Sequence, residues 1–315
     1  MENKIKNNLK IDKRIRAVFG EIEFASVTSS PASTREGIMA DQESEEAKQG
    51  RAILEMVNNA SHYKEVVPDR GLLTSTKEFI SDPDGNTIKI QYIRPDTEEE
   101  LPCVYYIHGG GMMVSSCFDE LYAAWGRCIA RQGVSVAMVD FRNAMWASSA
   151  PEVEPYPAGL NDCASATKWV FDNKRELNIS SIIISGESGG GNLSIATALK
   201  AKKEDWLNQI NGVYACCPYI SGLYEKKPAN LVSLRENDDY LINCDQMAVL
   251  AYLYDPNGKN EKNPLAWPYH ATEQDLHGLP PHFIWTNELD PLRDDGIAFY
   301  RKLLGAGVSV SGQTT

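Results

Sequence analysis

The amino-acid sequence predicts an α/β fold: a mostly parallel central sheet with helices on both faces and a helical cap. Two observations support this fold class. From about residue 75 onward, short apolar runs alternate with stretches of helical periodicity, as expected for repeated strand–helix units. The 315 residues are 43% hydrophobic, which is enough to bury a large core, and no repeat or low-complexity linker divides them.

The predicted elements follow one another in a regular order. Residues 76–80 and 88–93 flank the turn sequence 82–86, which predicts an opening antiparallel hairpin. Parallel strands are predicted near 103–108, 134–140, 181–186, 212–217, 282–287 and 308–313. Helices are predicted over 119–132, 158–177, 189–202 and 292–304.

Two segments do not fit this repeat. Residues 1–70 precede the sheet and contain a helical stretch over 43–59, and residues 222–265 separate two strands by far more than a usual connection. Long segments of this kind commonly form lids or binding loops. We therefore expect an N-terminal cap segment over 1–70 and a main α/β domain over 71–315, with 222–265 as a second cap insertion.

Charge and composition argue against several classes of protein. A net charge of −12 without a basic stripe disfavours nucleic-acid binding. No apolar run approaches the roughly 18 residues of a membrane span, and the amino terminus has no apolar signal region, so we expect a cytoplasmic protein. Seven cysteines without a C-x-x-C pair predict neither a disulfide framework nor a metal site. Acidic clusters at 41–46 and 98–100 are expected to be solvated surface.

Two glycine-rich motifs stand directly after two of the predicted strands. His-Gly-Gly-Gly at 108–111 follows the apolar run 103–107, and Gly-Glu-Ser-Gly-Gly at 186–190 follows the apolar run 181–185. The first has the pattern of an oxyanion hole and the second that of a nucleophile elbow. A phosphate-binding loop is the alternative for the first motif, but it would need a different continuation from the Met-Met-Val found here.

The chemistry of ester cleavage assigns roles to these residues. Ser188 is the predicted nucleophile, because the glycines at 186 and 190 permit a sharp turn that exposes its hydroxyl. The backbone amides of Gly110, Gly111 and Gly189 are the predicted oxyanion donors, since the glycine loop has no Cβ atoms to obstruct the cavity.

With these motifs, the chain resembles the bacterial hormone-sensitive-lipase-like esterases, a family of α/β-hydrolases. The resemblance covers about residues 75–315 and includes three further segments, at 139–144, 155–163 and 288–296. It implies an α/β-hydrolase fold and a serine carboxylesterase that acts on small-molecule esters and requires no cofactor or metal.

The resemblance also implies that Asp290 is the acid of the catalytic triad. Its position just past the carboxyl end of a predicted strand agrees, because this end lies on the same sheet edge as Ser188. The alternatives are a capping role for the helix beginning at Leu292 and an acid at Glu288 instead.

The chain departs from the family pattern beside both motifs. Glu187 and Gly189 stand where the family usually has Asp and Ala, a conservative change. Met112 and Met113 replace the aromatic residue that commonly follows the glycines. We predict that these methionines and Tyr219 line the substrate pocket, with ordinary core packing as the alternative.

The most serious departure is that no histidine follows His282. In the chain order Ser, Asp, His, the base lies after the last strand, which begins only near residue 308. His282 and His277 are expected at the opposite end of their strand, on the order of 20 Å from the active edge. The other three histidines are expected beneath the glycine loop or in loop and cap segments: His108, His270 and His62. We therefore expect a truncated sequence, with the triad histidine after Thr315.

Two functional hypotheses result from these observations. The first is a serine carboxylesterase for short- to medium-chain esters, which works through an acyl-enzyme intermediate. The second is a non-catalytic small-molecule receptor on the same scaffold, suggested by the absent histidine and opposed by the intact Ser188 and Asp290. A homodimer through an edge element is the default expectation for the oligomeric state.

Overall fold

An eight-stranded sheet forms the centre of the structure, a computed structural model that describes residues 4–21, 34–45, 47–49, 51–52 and 63–315. The strands are β1 (Leu72–Ile80), β2 (Thr87–Pro95), β3 (Leu101–Ile107), β4 (Ser135–Asp140), β5 (Ile179–Glu187), β6 (Gly212–Cys216), β7 (His282–Thr286) and β8 (Val310–Thr314). Their order across the sheet is β1-β2-β4-β3-β5-β6-β7-β8.

Strand directions follow the sequence prediction. β1 and β2 form the antiparallel hairpin, and β2 pairs antiparallel with β4. All further pairs, from β4–β3 to β7–β8, are parallel. The mostly parallel α/β sheet is thus confirmed. All six residues of β4 are buried, which explains why its sequence is a continuous apolar run rather than an alternating one.

Helices connect and cover the strands. In chain order they are α1 (Lys4–Asn7), α2 (Lys13–Phe19), α3 (Arg35–Asp41), α4 (Tyr63–Val66), α5 (Glu120–Ala130), α6 (Ala158–Asp172), α7 (Lys174–Leu177), α8 (Gly189–Lys203), α9 (Ser233–Glu236), α10 (Cys244–Tyr254), α11 (Glu273–Leu276) and α12 (Arg293–Gly305). Three short 3₁₀ segments span Leu207–Gln209, Pro256–Gly258 and Pro268–His270. Helix α8 packs on β3, β5 and β6, α5 on β2 and β4, and α12 on β7 and β8.

One predicted helix is divided. Residues 158–177 form α6 and α7 rather than one element, because Asn173 leaves the helical conformation, at φ −99° and ψ 15°. Its side-chain amide donates to the carbonyl of Trp169, which satisfies one acceptor at the end of α6. The prediction therefore placed the helical residues correctly and missed the break between them.

The two predicted cap segments contact each other. The Lys4 ammonium donates to the carbonyl of Asp238, and the Asn8 amide donates to the Tyr240 hydroxyl at 2.8 Å. The predicted helix over 43–59 lies partly outside the described residues, of which 45, 47–49 and 51–52 are helical. None of the helices in the described ranges combines the length and the apolar character needed to cross a bilayer.

Candidate active site

The carboxyl ends of β3, β5 and β7 meet at one edge of the sheet. They bring together the two glycine-rich motifs and the loop at residues 287–292, which contains Asp290 and is named the acid loop. Ile107, the last residue of β3, is in parallel register with Gly186 of β5. The glycine loop at 108–111 and the elbow at 186–190 therefore leave the sheet side by side. The sequence predicted that each motif follows a strand. The pairing register of β3 and β5 shows that the two motifs are neighbours.

Ser188 connects β5 to α8 in a strained backbone conformation. Its φ of 55° and ψ of −118° are unusual for a residue with a side chain. Three hydrogen bonds hold it there: its amide donates to Cys216 O at 2.9 Å, and its carbonyl accepts from the amides of Tyr219 and Asn192. The side chain is partly exposed at the sheet edge. Strain of this kind, fixed by its surroundings, is typical of a nucleophile elbow.

The glycines of the elbow are required by close backbone contacts. A Cβ atom on Gly190 would lie 2.1 Å from the carbonyl oxygen of Ile107 and 2.5 Å from that of His108. A Cβ atom on Gly186 would lie 2.4 Å from the Gly190 oxygen. Because both contacts are with backbone, no side-chain movement would relieve them. The motif thus lets α8 begin directly against the end of β3.

The three predicted oxyanion donors lie together. Gly110 and Gly111 have φ values of +90° and +64°, and the Gly110 carbonyl accepts from the Met113 amide in a tight turn. A Cβ atom on Gly189 would lie 2.8 Å from the Gly111 Cα and 2.6 Å from the Met112 nitrogen. Within the described ranges, no acceptor is bonded to the amides of Gly110 and Gly111. These groups and the amino end of α8 can bind a developing oxyanion.

Glu187 joins the elbow to the glycine loop, a contact that sequence patterns did not predict. Its Oε1 accepts from the Gly109 amide at 3.0 Å, and its Oε2 accepts from the Tyr106 hydroxyl. Burial raises the pKa of this carboxyl to about 7, against the lowering effect of the Gly109 amide. In the sequence, only its position next to Ser188 in the elbow motif indicated a role for Glu187. Nothing in the local sequence shows that its side chain folds back toward residue 109.

Asp290 lies in the loop after β7 and is 9% exposed. Its Oδ1 accepts from the Leu292 amide at 2.9 Å. Burial raises the pKa of the carboxyl to about 6, although the hydrogen bonds from Leu292 and Asn287 lower it. Helix α12 begins at Arg293 with Leu292 as its N-cap, so Asp290 supports the turn before the helix without being the cap itself.

Glu288, the alternate acid, has a different environment. Its side chain is 66% exposed and its Oε1 pairs with the Arg293 guanidinium at 3.1 Å. An exposed carboxylate already engaged by arginine is a weaker candidate for a buried triad than Asp290.

The described histidines are engaged elsewhere. His108 is fully buried and stacked on Phe141, and a ring nitrogen of His282 lies 2.6 Å from Pro280 O at the amino end of β7. His270 bonds to Ser221 O, and His277 lies against Ala306 O. No hydrogen bond joins these four histidines to Ser188 or Asp290, and His62 lies outside the described residues.

The predicted pocket residues are buried. Met113 and Tyr219 are 0% and 2% exposed within the main core, where Tyr219 stacks on Tyr224. Their burial favours the core-packing alternative. Met112 is also buried, but it adjoins Gly189 directly after the glycine loop. Leu250 of α10 comes close to the same loop, since its Cδ1 would lie 3.2 Å from a Cβ atom on Gly111.

Comparison with known proteins places this geometry among esterases. A family model described as the α/β hydrolase fold matches residues 104–315. Carboxylesterase NlhH of Mycobacterium tuberculosis is 35% identical over 227 residues, which are 70% of this chain and 66% of that protein. Esterase LipI of the same species is 32% identical over 222 residues, 69% of this chain and 63% of its own length. The chain thus spans just under two thirds of the length of these curated relatives.

Solved structures agree with these relatives. The structure of esterase Est22 is 47% identical, with a TM-score of 0.93, and the match covers 100% of this chain and 91% of that one. Brefeldin A esterase, described as a bacterial homologue of human hormone-sensitive lipase, is 42% identical with a TM-score of 0.75, over 84% of this chain and 76% of its own.

Proposed function

Because the chain belongs to the hormone-sensitive-lipase-like carboxylesterases of the α/β-hydrolase family, we propose that Ser188 cleaves short- to medium-chain esters through an acyl-enzyme. The observation that carries this role is the strained, partly exposed Ser188, whose neighbour Gly189 lies against Gly111 of the glycine loop. The cytoplasmic location, the homodimer and the cap division at 1–70 and 222–265 remain predictions.

The reaction takes place in two acyl transfers. The Ser188 oxygen attacks the ester carbonyl carbon, and the amides of Gly110, Gly111 and Gly189 donate to the oxyanion of the tetrahedral intermediate. Loss of one such donor typically costs about 3 kcal/mol of transition-state stabilisation. The base takes the Ser188 proton during this attack and gives it to the alcohol as the bond between the carbonyl carbon and the alcohol oxygen breaks. The base then takes a proton from water, which attacks the acyl-enzyme; the carboxylic acid leaves, and the base returns the proton to Ser188.

We propose that the base is the histidine expected from the sequence analysis, oriented by Asp290. Two hydrogen bonds hold Thr315 in place: the Thr315 amide donates to Thr286 O at 3.0 Å, and the Glu288 amide donates to Thr315 O at 2.7 Å. Residue 315 is therefore adjacent to the start of the acid loop, and residues after it would begin at this edge of the sheet.

Hydrolysis of p-nitrophenyl butyrate by the complete protein tests the proposal. We expect Ser188→Ala to lower turnover by about 10⁶-fold, because the serine and its base act as a unit. Ser180→Ala, at an exposed serine of the same strand β5, is the matched control and should retain full activity. Full turnover by Ser188→Ala would overturn the proposed mechanism.

A further inference from the structure

The insertion between β6 and β7 reaches back to the acid loop at residues 287–292. The Asn237 side-chain amide donates to Glu288 O at 2.8 Å and to Asp290 O at 3.1 Å. We infer that Asn237 is a positioning residue that sets the orientation of Asp290. This inference rests on the proposed role of Asp290 in the triad.

The chemistry of the asparagine side chain suits this task. Asn237 is 5% exposed, and both of its N–H groups are used on two carbonyl oxygens of the same loop. An amide supplies two donors without a charge, whereas a carboxylate at this position would face both carbonyl oxygens with like partial charge. A side chain without donors would leave these contacts unmade in a buried place.

Ser233 makes a second set of bonds, to the acid loop and to the first turn of α12. Its hydroxyl donates to Pro291 O at 2.6 Å, and its amide donates to Asp294 Oδ2 at 2.8 Å. The Asp294 amide donates back to the Ser233 hydroxyl oxygen at 3.1 Å. Ser233 and Asn237 belong to one turn, because the Asn237 amide donates to Ser233 O. Residues 233–237 thus hold the loop on both sides of Asp290.

A third contact ties the start of the insertion to the helix that follows the acid. Asp295 is fully buried in α12, and its Oδ2 accepts from the Ser221 amide and the Tyr224 hydroxyl, both at 3.0 Å. The acid loop is therefore fixed by the insertion as well as by β7. Movement of the insertion would change the orientation of Asp290 without a direct contact to substrate.

Kinetics of the complete protein test this inference, with Asn237→Leu as the main variant. Leucine has a similar size and lacks the two donors. We expect kcat for p-nitrophenyl butyrate, per serine titrated by fluorophosphonate, to fall about 10- to 100-fold with KM nearly unchanged, as a small misplacement of a catalytic group predicts. The matched control is Asn230→Leu, an exposed asparagine of the same insertion, which should behave as wild type.

The pH profile separates positioning from a loss of stability. A poorly oriented Asp290 stabilises the cationic base less, so the acidic limb of kcat should move to lower pH in Asn237→Leu. A variant that is only less stable would keep the acidic limb of its kcat profile at the wild-type pH. Ser233→Ala, a smaller change that removes only the hydroxyl bonds, should show the same shift to a lesser degree and serves where Asn237→Leu does not fold.

The outcomes distinguish this inference from the proposed function. If the wild-type protein is active and both Asn237→Leu and Ser233→Ala keep its kcat and its acidic limb, the positioning role is overturned and the esterase proposal stands. An inactive wild-type protein would overturn both.

Discussion

Ser188 illustrates what a local motif can predict about a single residue. Its strained backbone follows from the glycines on either side, and those are visible in the sequence. Glu187, its neighbour, has a role that depends on Gly109 and Tyr106, about 80 positions earlier in the chain. The motif therefore predicted the sharp turn at Ser188, while the contact between the elbow and the glycine loop required the structure.

The Glu187 carboxyl should make stability depend on pH. Its pKa is raised by burial to about 7 from an ordinary value of 4.5, so the folded state holds a proton that the unfolded chain releases. The stability that this group contributes is therefore fully present below pH 4.5 and is lost as the pH rises toward 7.

Glu187→Gln mimics the neutral carboxyl and removes this loss. Thermal unfolding at pH 4 and pH 8 measures this loss: we expect the variant to match wild type at pH 4 and to melt at a higher temperature at pH 8. A difference in melting temperature that is equal at the two pH values would contradict the assigned pKa.

Asp290 and Glu288 can be told apart by isosteric amides. Asp290→Asn should lower kcat of the complete protein by about 10⁴-fold, because an amide does not hold the base in its reactive tautomer. Glu288→Gln, at the exposed alternate acid, should retain wild-type kcat. The reverse pattern, measured with the same ester, would assign the acid to Glu288.

At the scale of elements, the geometry of the strand–turn–helix from β5 to α8 is set by the close approach of α8 to the end of β3. This approach places the amino end of α8 against the glycine loop and so brings the Gly189 amide next to Gly111. The alternation of apolar runs and helical periodicity predicted both elements, but not the distance between them, which is set by backbone contacts across 80 residues.

Gly190→Ala should disrupt this junction. A Cβ atom there would overlap the carbonyl oxygen of Ile107, so we expect a destabilisation of about 3 kcal/mol, measured by urea unfolding. Gly305→Ala, at the end of helix α12, is the control, because a Cβ atom there would make an ordinary contact, 3.5 Å from a carboxylate oxygen of Glu273. Equal free energies of unfolding for the two variants would show that α8 can move away from the end of β3 without a loss of stability.

The whole molecule combines a sheet that sequence patterns predict well with insertions that they do not. The parallel strands are apolar runs between helical repeats, so their number and direction could be predicted. Asn237 contacts Glu288 and Asp290 across 51 and 53 positions, and no periodic pattern marks such a contact. The acid loop is therefore predictable as a motif, whereas the residues that orient it are not.

Covalent labelling of the complete protein by a fluorophosphonate, followed by peptide mass spectrometry, tests the nucleophile most directly. We expect one adduct, on Ser188, that disappears in Ser188→Ala and persists in Ser180→Ala. An unlabelled Ser188, or labelling that survives Ser188→Ala unchanged, would contradict its proposed role as the nucleophile.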